Sequence, residues 1–351
     1  MRGMFGWLPG GLLLLASLAH GANNEPWDIG VLYWSGTIPS QQIMRQGLEE
    51  EAERINRQAK ASGQRGVRLN IEVAGDGVEG VERQIWQMRM MVGNERPDAI
   101  ILQPTDNAAL SEPLQRANLA GIPVIAYDQY VSTGVLASYV TSDNYQAGYL
   151  GGEYVASLFS RERPLNLVLV EYPLVSSTVE RVNGFIEALH VAGVEYKILR
   201  SYQAVQPEEG RQAARQLLRD FPDKGSVDVL FTVNNGGGLS MVGELMQAGR
   251  DEIVHATVDG DPESLDNIRN GRLTKIDSAQ FCAKLGATAL RQAYRVLNGE
   301  QVARHVMIPT FPVTEQTLAI YPGWDGALPP AFDKPWPSEI RQWRNQLQES
   351  N

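Results

Sequence analysis

The chain has 351 residues, 43% of them hydrophobic and 21% charged, and a formal net charge of −10. That is length enough for two domains with separate cores, in the composition range of ordinary globular proteins. The charge balance excludes general nucleic-acid binding through a basic surface, and the single cysteine, Cys282, excludes an intramolecular disulfide.

In chain order, residues 1–22 have the layout of a secretory signal. Arg2 supplies a positive start, Leu12 to Leu18 an apolar run, and Ala19-His20-Gly21 the small residues for cleavage after Gly21. The run is too short to span a bilayer. No cysteine stands at the cleavage site, which argues against a lipid anchor. The expectation is a soluble protein, free in the periplasm.

The following segments alternate. Strands are expected at 29–33, 69–73, 100–102, 124–127 and 138–140, with helices at 40–56, 81–92 and 110–119 between them. In the first helix Ile43, Met44, Leu48, Ala52 and Ile55 fall on one side. The pattern then restarts: helix 144–159, strand 165–171, helix 178–191, strand 195–199, helix 208–219, strand 227–232, helix 238–247, strand 252–258 and helices 264–270 and 281–297. Such alternation implies α/β architecture, with parallel sheets covered by helices on both faces. Cys282 falls in the last of these helices, where a buried structural thiol is expected. From Tyr321 the chain changes character, with Trp324, Trp336 and Trp343 among several prolines. Residues 338–348 read as a short amphipathic helix. The tail is expected to pack on the surface of one lobe, or to dock a partner.

Several motifs point nowhere. Gly75-Asp-Gly-Val-Glu-Gly80 matches the dinucleotide pattern, but Asp76 and Glu79 would repel a pyrophosphate. It also follows the second strand rather than the first. Gly236-Gly-Gly238 lacks the Lys-Ser or Lys-Thr of a phosphate loop. The four histidines, His20, His190, His255 and His305, are scattered, and no spacing suggests a metal. No nucleophile–base pair is evident, so the expectation is a protein without catalysis, cofactor or metal.

The informative residues stand at strand ends. Asp128 lies just past strand 124–127, where ligands bind in open α/β sheets. Around it runs a series of motifs: Gln103-Pro-Thr-Asp, Gly121-Ile-Pro-Val-Ile, Thr141-Ser-Asp-Asn-Tyr-Gln-Ala-Gly, Arg181-Val-Asn-Gly-Phe, Asn234-Asn-Gly-Gly-Gly-Leu, Val258-Asp-Gly-Asp-Pro and Asn298-Gly-Glu. In this order and spacing, over about residues 27–320, the chain resembles the ribose-binding-protein family of periplasmic solute-binding proteins.

The resemblance implies two similar lobes, each a parallel sheet flanked by helices, joined by a hinge of several crossovers near 142, 280 and 309. One lobe would comprise 23–142 and 281–309, the other 143–280 and 310–330, with 331–351 as a C-terminal extension. It also implies ligand contacts at Asp128, Arg181, Asn234, Asp259 and Gln280, the last with one extra residue in the loop before it. The chemistry suits a sugar: carboxylates accept from hydroxyls, a guanidinium donates in a planar fork, and amides do both. Each residue also has a plainer reading. A lone Asp after a strand serves a turn, Arg181 could be a surface charge, and Asn234 could cap the next helix. The sequence departs from the pattern at Gln129, where ribose binders carry a second arginine. It departs again at Ser40 and Gln41, where they carry two aromatic residues. Trp34 is the candidate to supply a stacking ring, whereas Tyr33 reads better as core.

The function implied is capture of a small polar ligand, a monosaccharide above all, and its delivery to an ABC permease of the inner membrane. The alternative is presentation of the ligand-bound state to a histidine-kinase ectodomain. A monomer with no nucleic-acid partner is expected.

Overall fold

The computed structural model describes residues 25–351; the signal-like segment 1–22 lies outside the described residues. The first lobe opens with β1 (Trp27–Tyr33), α1 (Pro39–Ser62), β2 (Val67–Val73), α2 (Gly77–Met90), β3 (Ala99–Leu102), α3 (Ser111–Leu119), β4 (Val124–Tyr127) and β5 (Ser138–Ser142). The second contains α4 (Asn144–Leu158), β6 (Leu165–Glu171), α5 (Ser176–Val191), β7 (Tyr196–Gln203), α6 (Pro207–Asp220), β8 (Val229–Thr232), α7 (Asn235–Gln247), β9 (Val254–Asp259), α8 (Pro262–Arg269) and β10 (Thr274–Ala279). The chain returns to the first lobe with α9 (Cys282–Leu297) and β11 (His305–Ile308), then to the second with β12 (Phe311–Val313). The tail adds three short strands, β13 (Phe332–Asp333), β14 (Gln342–Trp343) and β15 (Gln348–Ser350).

The two large sheets run β15-β11-β5-β4-β3-β1-β2 and β12-β10-β9-β8-β6-β7. Without their last additions these are one order written twice, 5-4-3-1-2 and 10-9-8-6-7. All pairs are parallel except those made by β12 and β15. In each sheet the order reverses beside the first strand, so the carboxyl ends of the strands frame a crevice.

The elements follow from the sequence. In α1, Met44, Leu48, Ala52, Ile55 and Ala59 recur on the buried face, Pro39 occupies the first turn, and Gly63 ends the helix in the left-handed conformation that favours glycine. The central strands β3, β4 and β8 are buried along their whole length, as uninterrupted apolar runs between helical layers must be. Two helix pairs pack without room for a side chain at the contact. A Cβ on Gly286 of α9 would overlap the Met44 carbonyl of α1, and one on Gly148 of α4 would overlap the Arg181 carbonyl of α5.

Cys282 is fully buried at the start of α9, and burial raises its thiol pKa. Strands β10, β11 and β12 escape the hydrophobic pattern, because Asp277 and Ser278 interrupt the first and the other two are short. The helix expected at 338–348 is absent. That segment instead forms β14, paired antiparallel with β13, and β15, paired antiparallel with β11. The bond from Trp343 to the Thr310 carbonyl and the strand pairings with β11 and β13 hold the backbone extended. Nor does the tail lie on one lobe. Lys334 and Trp336 bond Glu153 of α4, while β15 joins the first sheet.

Candidate functional site

The crevice is built from the segments that leave β1, β3, β4, β6, β7, β8, β9 and β10. Trp34, Ser40, Gln41, Asp128, Gln129, Arg181, Asn234, Asp259 and Gln280 all line one cavity between the lobes. Ile38, Met44, Val175, Ser177, Thr178 and Val205 complete its wall. The nine polar and aromatic positions singled out in the sequence are thus brought together.

Asp128 follows β4 with a left-handed backbone, φ +64. Its amide donates to the Val140 carbonyl at 2.8 Å, and its own carbonyl accepts from Thr141 Oγ1 at 3.1 Å. Its Oδ2 accepts from Gln103 Nε2 at 2.9 Å. Gln103 Oε1 accepts in turn from the Trp34 amide at 3.1 Å and from the Tyr127 hydroxyl at 3.3 Å. One buried amide side chain therefore sets both Asp128 and Trp34. Gln103 was visible in the sequence only as part of the Gln103-Pro-Thr-Asp motif. An amide at a strand's carboxyl end, one strand from Asp128, was the signal for it.

Asp259 is the last residue of β9, again with positive φ, +127. Its Oδ1 accepts from Arg181 Nη1 at 3.1 Å and Gln280 Nε2 at 2.7 Å, and its Oδ2 from the Asn235 amide at 3.2 Å. Arg181 is 2% exposed, which removes the surface-charge reading. Its Nε donates to Asn144 Oδ1 at 2.9 Å and its Nη1 also to the Val233 carbonyl at 2.8 Å. Gln280 Oε1 accepts from Ser142 Oγ at 2.7 Å, joining two crossovers of the hinge. The register of β10 against β9 slips between Thr274 and Ile276, leaving Lys275 as a bulge, and Gln280 beyond it reaches Asp259.

Asn234 is the N-cap of α7. Its Oδ1 accepts from the Gly237 amide at 3.1 Å and its Nδ2 donates to the Val205 carbonyl at 2.9 Å. The capping reading of this residue is what the geometry gives, though the side chain also lines the cavity. Gln129 reaches across the crevice: its Oε1 accepts from Ser177 Oγ at 2.7 Å. Beside it the Asn107 amide donates to the Leu174 carbonyl at 3.0 Å and the Tyr130 amide to Ser176 Oγ at 3.2 Å. The lobes thus touch at the rim. Gln41 Oε1 accepts from the Ser35 amide at 2.8 Å. Trp34 lines the cavity within the apolar cluster that holds Val175 and Val205 of the other lobe. Tyr33 is core, buried in the first lobe with the Arg45 guanidinium over its ring.

The electrostatics follow from burial. Asp128 is pushed up by desolvation, against the opposing hydrogen bond from Gln103 and the charge of Arg181. Asp259 is pushed up to about 6 by burial, with Arg181 and Gln280 pulling the other way. Beneath it Asp277 of β10 accepts from the Gly260 amide at 2.9 Å, and burial carries it to about 7. Two acceptors, one cation and several amides thus converge on one cavity lined by buried side chains, an arrangement suited to neutral groups that both donate and accept.

The chain matches the family model of the periplasmic binding protein domain over residues 29–301. It is 30% identical over 204 residues to the ribose import binding protein of Escherichia coli strain K12, covering 58% of this chain and 67% of that one. With the ribose import binding protein of Bacillus subtilis strain 168 the identity is 23% over 295 residues, 84% of this chain and 89% of the relative. Among solved structures, an ABC transporter solute-binding protein from Bacillus halodurans C-125 with bound myo-inositol aligns with a TM-score of 0.72 at 22% identity, covering 85% of this chain and 98% of that one. One from Actinobacillus succinogenes 130z with bound D-allose aligns with a TM-score of 0.71 at 22% identity, over 84% and 100%. These two likenesses concern the fold.

Proposed function

Since this chain belongs to the periplasmic binding protein family, we propose that it captures a small polyhydroxylated ligand, a monosaccharide or a related polyol, between its lobes and delivers it to an ABC permease. The observation that carries this is the pairing of Asp128 from one lobe with Asp259 and Arg181 from the other around a single cavity. Sugars present hydroxyls that donate to the carboxylates and accept from the guanidinium, and Trp34 offers one ring to an apolar C–H face. A ligand that touches both sides favours the closed arrangement over the open one, and a permease can read that difference. The relatives named as ribose import proteins, and the neighbours holding myo-inositol and D-allose, support the substrate class. Among the described residues no helix is long and apolar enough to cross a membrane. The protein acts by binding alone, and in this reading the departures at Ser40, Gln41 and Gln129 select which sugar it holds.

The test is a thermal-shift screen of the refolded protein against monosaccharides, polyols, nucleosides and small amines. A ligand at about a hundred times its Kd should stabilise the native state by about 2.7 kcal/mol. Shifts confined to sugars or polyols are the expected result. A response only to nucleosides or amines would overturn the substrate class.

A further inference from the structure

The tail that follows the two lobes touches every crossover between them. At the first, Gln348 Nε2 donates to Asp143 Oδ2 at 3.2 Å. At the second, the Tyr321 hydroxyl donates to the Gln280 carbonyl at 3.2 Å. At the third, Trp343 Nε1 donates to the Thr310 carbonyl at 2.6 Å. The ring of Phe311, next to that carbonyl, lies 5.2 Å from Trp343, 5.4 Å from Phe332 and 5.4 Å from Tyr321. No tail residue lines the ligand cavity, so this packing lies outside the cleft.

The distal part of the tail is fixed to both lobes. Glu153 of α4 is buried and accepts from Lys334 Nζ at 2.7 and 2.9 Å, from Trp336 Nε1 at 2.7 Å and from Ser338. Further on, β15 pairs with β11 of the first sheet from His305↔Ser350 to Met307↔Gln348. The chain between these anchors, residues 339–347, would reach about 30 Å if extended. It is therefore too long to act as a taut tether, and any restraint must come from what the tail packs against the crossovers.

A hinge moves by changing the backbone dihedrals of a few crossover residues. Rotating φ and ψ there swings the carbonyls of Gln280 and Thr310, which Tyr321 and Trp343 hold, and shifts Phe311 against a filled ring cluster. We infer that the segment from Tyr321 to Trp343 is a hinge clamp, which confines the lobes to a small opening and so controls how far the cleft can gape. A closed-competent population that is already large brings the apparent affinity near its intrinsic value. This stands on the two-lobed fold and not on the identity of the ligand.

The experiment is small-angle scattering and amide hydrogen exchange on the protein freed of ligand by unfolding and refolding. The wild-type curve should match the closed arrangement of lobes described here. Trp343→Leu should give a larger radius of gyration and about tenfold faster exchange at the amides of Ser177, Asn107 and Tyr130, which bond across the lobes. Tyr321→Phe, which removes one hydroxyl, should move both readouts in the same direction by less. A wild-type curve that fits only separated lobes overturns the inference, and this readout needs no variant to fold. So does a folded Trp343→Leu protein with unchanged scattering and exchange.

Discussion

Asp128 and Asp259 are counterparts: in chain order each stands at the carboxyl end of the fourth strand of its lobe, Asp128 just past β4 and Asp259 closing β9, and each holds a positive φ, +64 and +127. Only one other non-glycine among the described residues, Arg96, does the same. Left-handed backbone costs a non-glycine residue about 1 to 3 kcal/mol and persists where surrounding structure over-determines it. Here the duplicated fold carries strain twice, at the two carboxylates that face each other across the cavity. Glycine at either position should relieve the strain while deleting the acceptor, whereas alanine deletes the acceptor and keeps the strain. Asp128→Gly and Asp259→Gly are therefore expected to unfold in urea with about 1 kcal/mol more stability than the matching alanine variants. All four should lose ligand affinity by a hundredfold or more.

Arg181 is the one guanidinium between these carboxylates, 3% exposed in its side chain. Removing one partner of a buried pair leaves the other charge uncompensated, at a cost of about 3 to 5 kcal/mol. Arg181→Met should show that loss in urea unfolding at pH 8. Asp259 sits at about 6 with the arginine present. Without it the carboxyl is protonated more readily, so the loss should shrink at pH 5. An equal loss at both pH values would mean that packing, not charge, is what Arg181 supplies.

Asp277 should make stability fall as pH rises. Its folded pKa, about 7, lies above the ordinary value of 3.8, so the native state holds a proton that the unfolded chain has released. That contribution is complete below the unfolded value and is lost as pH climbs through 7. Asp259 acts in the same sense up to about 6. His255 opposes both. It is buried between Thr232 and Thr274, its pKa lowered to about 3 by burial, so it costs stability as pH falls below 6.5. The total profile mixes these terms, and the difference between Asp277→Asn and wild type isolates one of them. Each pH unit is worth at most about 1.4 kcal/mol per proton. The asparagine variant should gain on wild type from pH 5 to about pH 7 and level off by pH 8 in paired denaturant titrations.

Gln103 should matter to binding through Asp128 and Trp34, which it sets together. Gln103→Glu places a second carboxylate against Asp128 and favours its protonation, so affinity should fall at neutral pH and recover in part on acidification. Gln103→Leu removes the bond and should lower affinity by about tenfold, the worth of about 1.4 kcal/mol, with little pH dependence. Titration calorimetry at pH 6 and pH 8 separates the two.

Much of this was legible in the sequence. Long apolar strands such as β6 and periodic helices such as α1 declare themselves, because burial on both faces or on one face writes directly into residue type. Asp128 could be picked out because strand ends are where such folds place ligands, and the family resemblance added Arg181, which sits inside α5, and Asp259. What stayed hidden depends on contacts distant in the chain. Gln103 looks like a loop amide until β3 and β4 are adjacent. Asp277 hides β10, since a buried carboxyl breaks the apolar run it sits in. The tail, whose spacing allowed a helix, is extended because Trp343 is drawn to the Thr310 carbonyl and β15 finds an open edge at β11.

The central claim is that the cavity between Asp128 and Asp259 holds a polyhydroxylated ligand. Native mass spectrometry of refolded protein in an equimolar mixture of sugars, polyols, nucleosides and amines tests it most directly. The account predicts a single one-to-one adduct with the mass of a sugar or polyol in wild type, and none in Asp128→Ala or Asp259→Ala. An adduct that survives in both variants, or one formed only with an amine or nucleoside, would contradict it.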